Sequence, residues 1–229
     1  MADHELDIIA RIRSDFPEKF GIPRQSGIVD ELRAKIVFEP QYRNPDALRG
    51  IESFSHLWLI WQFSENLRDK WSPTVRPPRL GGNTRLGVFA TRSPFRPNGL
   101  GLSCVRLLAV EKDEKLGHCL VVAGADLMDG TPIFDIKPYV PYADCHSDAA
   151  DGFAPDPGRM LEVEFSGDSL EKVPEDKRSA LRGVLSADPR PSYQKDAERI
   201  YNLDFAGMSV KFTVDGDVLR VCSVEADQL

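Results

Sequence analysis

The sequence predicts a mainly β protein: a small antiparallel β-barrel followed by a smaller α+β C-terminal domain. Three observations predict it. Up to about residue 140, apolar residues alternate or run in short β-branched stretches bounded by Gly, Pro or Asn. No long segment of 3.6-residue period separates these stretches, so the strand–helix alternation of a doubly wound domain is missing. Beyond about residue 160 the pattern changes to one helical segment and a hairpin signal.

In chain order, Ile8, Ala10 and Ile12 alternate with Ile9, Arg11 and Arg13, and Ile36 and Phe38 with Lys35 and Val37. Residues 57–63 form a short aromatic-rich run, and Trp58, Trp61 and Phe63 are expected in the core rather than stacked on bases. Residues 86–91, 102–110 and 116–125 read as further strands. Two stretches interrupt them: SPTVRPPRLGGN at 72–83 and SPFRPNGLG at 93–101. Proline fixes φ and removes a donor, so neither fits a central strand; both are stiff loops that display Arg. Residues 143–159, ADCHSDAADGFAPDPGR, read as an acidic linker. Beyond it, residues 160–165 read as a strand, and 170–185 as a helix with Ser169 as N-cap and Pro189 and Pro191 beyond its end. Residues 210–214 and 218–224 flank Asp215-Gly216, the strongest hairpin signal in the chain. The expected organisation is a barrel domain over 1–145, a linker over 146–159 and an α+β domain over 160–229.

The 229 residues carry a net charge of −7, unevenly spread. Between Arg68 and Arg106 stand seven Arg and one Lys against the single acid Asp69, a net of +7, which leaves −14 for the rest. That is not a general nucleic-acid coat, but the field near a site follows nearby charges, so local anion binding is open. No apolar run reaches the roughly 18 residues of a membrane span. The N-terminal MADHELDII lacks the basic, then apolar, pattern of a secretory signal. Cys104, Cys119, Cys145 and Cys222 show no CxxC spacing, so free thiols in a reducing cytoplasm are expected, with no metal site. GxxxxGK[ST], HExxH and GxSxG are all absent, and Gly99-Leu100-Gly101 lacks the final Gly and the βαβ setting of a dinucleotide fingerprint.

Short polar clusters remain. Pro23-Arg24-Gln25 follows Phe20-Gly21-Ile22, and Ser55-His56 opens the aromatic run. Thr91-Arg92-Ser93-Pro94-Phe95-Arg96-Pro97-Asn98 follows a strand, and Asp129-Gly130-Thr131-Pro132 leads into Ile133-Phe134-Asp135-Ile136-Lys137-Pro138-Tyr139. Each has a plainer reading: Arg24 and Gln25 as turn caps, His56 as a core histidine, Asp129-Gly130 as an ordinary turn, Asp135 and Lys137 as a surface ion pair. Arg92 and Arg96 stand out, because prolines brace them and planar guanidinium forks suit carboxylate or phosphate.

At these residues the chain resembles a known family. FGIPRQSG, GIESFSHLWLIWQF, RPPRLGGNTRLGVFATRSPFRPNGLGLS and DLMDGTPIFDIKPYVPY match the TsaA-like family in order and spacing, over roughly residues 5–143, and Asp188-Pro189-Arg190-Pro191-Ser192-Tyr193 resembles its DPRPxY element. Characterised members are tRNA methyltransferases, TrmO, that use S-adenosylmethionine to methylate N6 of threonylcarbamoyl-adenosine beside the anticodon of threonine tRNA. The resemblance implies a non-Rossmann β-barrel acting as a homodimer. By analogy the cofactor lies against Pro23, Arg24, Gln25, His56, Leu57, Arg92, Arg96, Asn98, Asp129, Gly130, Thr131 and Pro132. Asp135, then Tyr139, then His56 are the candidate proton acceptors. Arg76, Arg79, Arg85, Lys137, Arg190 and Lys195 are the candidate contacts to RNA. Two alternatives stand beside this reading: a non-catalytic barrel that senses the cofactor, and a methyltransferase of the same fold acting on another RNA or a small metabolite.

Overall fold

The computed structural model describes residues 5–66, 70–156, 158–191, 194 and 196–226. The first strands are β1 (Ala10–Arg13), β2 (Arg33–Phe38) and β3 (His56–Gln62). A long excursion follows, carrying the two-residue strands β4 (Thr74–Val75) and β5 (Leu86–Gly87). The chain re-enters the sheet with β6 (Leu100–Asp113), β7 (Gly117–Ala123) and β8 (Pro132–Pro138). These close into a six-stranded antiparallel barrel in the order β1-β2-β7-β6-β3-β8, with β8 returning to β1. Closure removes the free edges that an open sheet leaves exposed.

Alternation decides what fills the barrel. In β3, Leu57, Leu59 and Trp61 point inward and are buried, whereas His56, Trp58, Ile60 and Gln62 point outward. Ala10, Ile12, Ile36, Leu120, Val122 and Ile133 complete the interior. Trp61 is therefore core, as expected, while Trp58 lies half-buried on the outer face. Gly101 is the cross-strand partner of Trp61, and the indole lies over it; a Cβ there would come within 2.3 Å of the ring.

After the short helix α1 (Pro141–Asp144) come β9 (Glu162–Phe165), α2 (Glu175–Ser186), β10 (Tyr201–Phe205), β11 (Met208–Asp215) and β12 (Val218–Ala226). The sheet order is β10-β11-β12-β9, with β9 parallel to β12. Leu181 and Leu185 of α2 pack on Leu203, Val210, Phe212, Leu219 and Val221 in a second core. This core also takes in Phe16, Val29 and Leu32, from the segment between β1 and β2. Gly21 of that segment has φ +87° and lies against Leu203, where a Cβ would meet its side chain at 2.2 Å. The stretch that carries Pro23-Arg24-Gln25 is thus clamped between the barrel and the C-terminal sheet.

Three sequence expectations are corrected. Residues 86–91 do not form a strand: pairing stops at Gly87, and Val88–Ala90 is a 3₁₀ turn. The helix starts at Glu175 behind Pro174, not at 170, and no side chain caps it. Ser169 is buried, and its N–H reaches Ser166 O at 3.1 Å. Strand β10 is an addition to the elements read from sequence.

Candidate active site

The site begins at the free edge of β6. Strand β7 pairs with β6 only from Arg106 onward, which leaves the amides of the preceding residues without that neighbour. Ser26 takes the place of a strand there: its Oγ accepts from the Cys104 N–H at 3.1 Å. A hydroxyl makes this bond without any need to continue the ladder. Pro23, just upstream, is buried, while Arg24 is exposed. The Arg24 guanidinium donates to the Arg190 carbonyl at 3.3 Å, so the C-terminal domain holds this loop as well.

The excursion between β3 and β6 folds back to meet it, with the Arg92 Nη1 donating to Gln25 Oε1. The two Arg of the proline-braced loop thus divide their roles. Arg96 is an internal brace, donating to the Thr91 carbonyl at 2.6 Å and the Val88 carbonyl at 3.4 Å. Thr91 Oγ1 donates to the same Val88 carbonyl at 2.9 Å, and Ser93 Oγ accepts from the Phe95 amide at 3.3 Å. Arg92 is exposed and keeps donors for an incoming anion, as does Arg24; Asn98 is exposed at the end of the loop.

Beneath the two loops lies a group that sequence reading passed over. Asp126 accepts from Ser103 Oγ at 2.6 Å, and Ser103 Oγ in turn accepts from Trp61 Nε1 at 2.9 Å. The amide of Ser26 also bonds to Asp126, and the Arg92 charge acts on it. Burial raises the pKa of Asp126, outweighing these stabilising neighbours. Its ionisation therefore costs stability as pH rises through the raised titration, the reverse of a salt-bridged carboxylate. The available signal was a charge set between Ala125 and Leu127, both of which are buried.

The remaining predicted residues fall into two groups. The Asp129–Pro132 turn is fixed to β1 and the residues after it. Asp129 accepts from Ser14 N–H at 3.1 Å and lies 3.4 Å from Arg13, the Gly130 amide donates to Ile12 O, and the Gly130 carbonyl accepts from Arg11. Thr131 is buried with its hydroxyl on Met128 O at 2.7 Å, and Pro132 is buried at the start of β8. His56 and Tyr139 lie on the outer face of the barrel, with rings 6.1 Å apart and Trp58 5.7 Å from Tyr139. Trp58 is the cross-strand partner of Cys104, so this cluster is continuous with Ser26. Leu57 lies with its side chain wholly in the barrel core and its backbone between β6 and β8.

Among the candidate proton acceptors, Tyr139 is pushed up by burial and by Cys145, Cys104 and Asp144 around it, so its phenol stays protonated and donates. His56 Nδ1 is hydrogen-bonded with Ser55 Oγ at 2.9 Å. Asp135 faces outward opposite Ile60; one oxygen accepts from Ile136 N–H at 2.9 Å and the other pairs with Lys137 at 3.1 Å.

Three of the six candidate RNA contacts, Arg76, Arg79 and Arg85, lie on the excursion between β3 and β6. Arg76 and Arg85 are exposed, Arg85 with one bond to Thr74 Oγ1 at 3.2 Å. Arg79 is held by the carboxylate and carbonyl of Asp156 in the acidic linker. Lys137 is paired with Asp135. Arg190 has a side chain 11% exposed that forms a two-pronged pair with Asp188 at 2.9 and 3.0 Å. Lys195 lies outside the described residues. Among the described residues no group of three or more His, Cys, Asp or Glu is placed to hold a metal, and no helix is long and apolar enough to cross a membrane.

A closed barrel without a strand–helix–strand nucleotide unit, bearing exposed guanidinium groups on a bonded pair of loops, belongs to the β-barrel class of proteins. Comparison with known proteins gives the particular family. Residues 11–145 match the tRNA-methyltransferase O N-terminal domain, and residues 159–227 the TrmO C-terminal domain. The chain is 43% identical to the tRNA (adenine(37)-N6)-methyltransferase of Escherichia coli (strain K12), across 98% of this chain and 99% of that one. It is 45% identical to a Pseudomonas aeruginosa protein named "Putative S-adenosylmethionine-dependent methyltransferase RcsF", across 96% and 97%. The crystal structure of TrmO from Pseudomonas aeruginosa superposes with a TM-score of 0.82 at 35% identity, covering 98% of this chain and 99% of that one. The chain belongs to the TrmO family and is a methyltransferase of it.

Proposed function

We propose that this enzyme transfers a methyl group from S-adenosylmethionine to N6 of threonylcarbamoyl-adenosine, next to the anticodon of threonine tRNA, and that it does so in the cytoplasm as a homodimer. The observation that carries the reading is the Arg92–Gln25 hydrogen bond, which joins the two family loops into one site on the barrel wall. The names of the relatives supply the target class: a tRNA adenine N6 in Escherichia coli, and S-adenosylmethionine dependence in the protein from Pseudomonas aeruginosa.

The residues present suit such a donor. Arg92 and Arg24 expose guanidinium groups for its carboxylate, and the Arg24 carbonyl, with a second lone pair beside the one that takes Gln25 Nε2, is an acceptor for its ammonium. When bound, the donor supplies an electrophilic methyl group on sulfonium. The protein's part is orientation: loops braced by Pro23, Pro94 and Pro97 hold their charged groups before substrate arrives, the kind of preorganisation that lowers a barrier by about 7–11 kcal/mol in favourable cases. The substrate's threonine carboxylate is a second anion, and two exposed guanidinium groups allow one for each.

The test is methyl incorporation from labelled S-adenosylmethionine into threonine tRNA prepared with and without the threonylcarbamoyl group, followed by mass spectrometry of the nucleosides. Label is expected on the carbamoylated adenosine only. Equal labelling of both tRNAs would move the substrate to plain adenosine, and no labelling of either would leave the cofactor-sensing alternative.

A further inference from the structure

We infer that Trp71 and Phe89 form a stacking platform for an unpaired base of the RNA substrate, an inference that rests on the tRNA reading above and gives it a docking surface. The two rings lie 6.3 Å apart at 29°, an offset stack. Trp71 is 52% exposed and Phe89 74%. Among the described residues this is the one aromatic pair in which both rings are exposed; the others are buried or half-buried in the two cores and on the barrel wall.

Local structure explains how two residues 18 positions apart come together. β4 and β5 pair antiparallel, Thr74 with Gly87 and Val75 with Leu86. The Val88 amide continues the ladder to the Pro73 carbonyl at 3.0 Å, and Ser72 Oγ closes on Thr74 O at 2.8 Å. Trp71 precedes the first strand of this ribbon and Phe89 follows the second, so the register places both at its open end. The platform is also tied to the site. The Arg96 guanidinium grips the carbonyls of Val88 and Thr91, on either side of Phe89, and Arg92 lies three residues beyond it.

Charge decides which partner such a pair fits. An exposed aromatic pair alone would serve another protein equally well. From Lys70 to Arg106 there is no acid at all, while Arg76, Arg79 and Arg85 line the far end of the ribbon and Arg92 and Arg96 the near end. Asp156 holds Arg79, but Arg76, Arg85 and Arg92 are exposed, and aromatic faces set among such cations match single-stranded nucleic acid, in which a phosphate follows every base. An anticodon loop presents unpaired bases without the need to open a duplex. Each ring uses at most one face on the other, which leaves a face for a base.

The experiment uses the full-length protein and a labelled anticodon stem-loop of threonine tRNA. Trp71→Ala and Phe89→Ala are each expected to weaken stem-loop binding about 5- to 100-fold, with Trp71→Phe close to wild type. Binding of a duplex without the loop, and of S-adenosylmethionine, should be unchanged, which shows that the variants fold. Trp71 is the exposed one of three tryptophans, so the stem-loop should also quench fluorescence in wild type and not in Trp71→Phe. Wild-type stem-loop affinity in both alanine variants would overturn the inference while leaving the tRNA reading intact. So would wild-type affinity combined with loss of self-association in sedimentation, which would assign the pair to a contact between copies. Failure of the wild-type protein to bind either RNA would overturn the tRNA reading and the platform together.

Discussion

Replacing Asp135 with Asn is expected to slow single-turnover methyl transfer about 10²- to 10⁴-fold, the range of a lost general base, with S-adenosylmethionine affinity within twofold of wild type. The target nitrogen is conjugated to the purine and to a carbonyl, so its lone pair is weakly nucleophilic and its proton must leave. We propose Asp135 as the acceptor by comparing environments. Tyr139 is held protonated by burial and its sulfur and carboxylate neighbours. His56 is engaged with Ser55. Asp126 is tied to Ser103 and to backbone N–H groups beneath the loops. Of these four groups, Asp135 presents a part-exposed carboxylate on the outer face, opposite Ile60, whose other neighbour Leu102 stands two residues from the Cys104 amide that holds Ser26. The Lys137 ammonium lies 3.1 Å from its carboxylate. Equal single-turnover rates for mutant and wild type would remove Asp135 from the role.

Gly101→Ala is the stability counterpart. The added Cβ would lie 2.3 Å from Trp61 Cε2 and 2.5 Å from Cζ2. The indole has no room to retreat, because it is 7% exposed inside the barrel and Phe63 packs on it at 4.3 Å. Overpacking of this kind costs about 1–3 kcal/mol, and losing the Trp61–Ser103 bond leaves a buried donor unpaired at a further 1–3 kcal/mol or so. In a chain of this size the melting temperature is expected to fall by roughly 5–15 °C. Gly87→Ala is the control: its φ is −58° and nothing lies within 4 Å of the new Cβ, so its melting temperature should stay within about 2 °C. A wild-type melting curve for Gly101→Ala would contradict the packing account.

What was legible in the sequence follows from periodicity and from residue type. The strands with clean alternation, β1 and β2, lie where Ile12 and Ile36 predicted, because a two-residue period leaves no second solution for a half-buried strand, and β3 lies where the aromatic-rich apolar run predicted it. The Asp215-Gly216 turn fixed the β11–β12 hairpin for the same kind of local reason, Gly216 taking φ +58°. The helix start was misplaced because Leu170 and Val173 continue an apolar pattern that Pro174 interrupts. In the site, the Arg-Pro loops were legible because proline and guanidinium have local meaning. The division of labour between Arg92 and Arg96 was not, because it depends on which carbonyls the fold places within reach. The Arg190–Asp188 pair was hidden for the same reason: a local sequence gives no sign that Asp188 at φ +51° turns to meet a guanidinium two residues away. Asp126 was invisible because its meaning comes from Ser103, Ser26 and Arg92, each on a different segment of the chain.

The central claim is that the 23–26 loop and the 92–98 loop make one cofactor site through Gln25 and Arg92. The measurement that bears on it most directly is a double-mutant cycle, Gln25→Ala, Arg92→Ala and the pair, read by calorimetric affinity for S-adenosylmethionine. One shared site predicts that the double variant loses little more than the weaker-binding single, with a coupling of about 1–3 kcal/mol. Losses that simply add, or affinities that match wild type in all three variants, would contradict it.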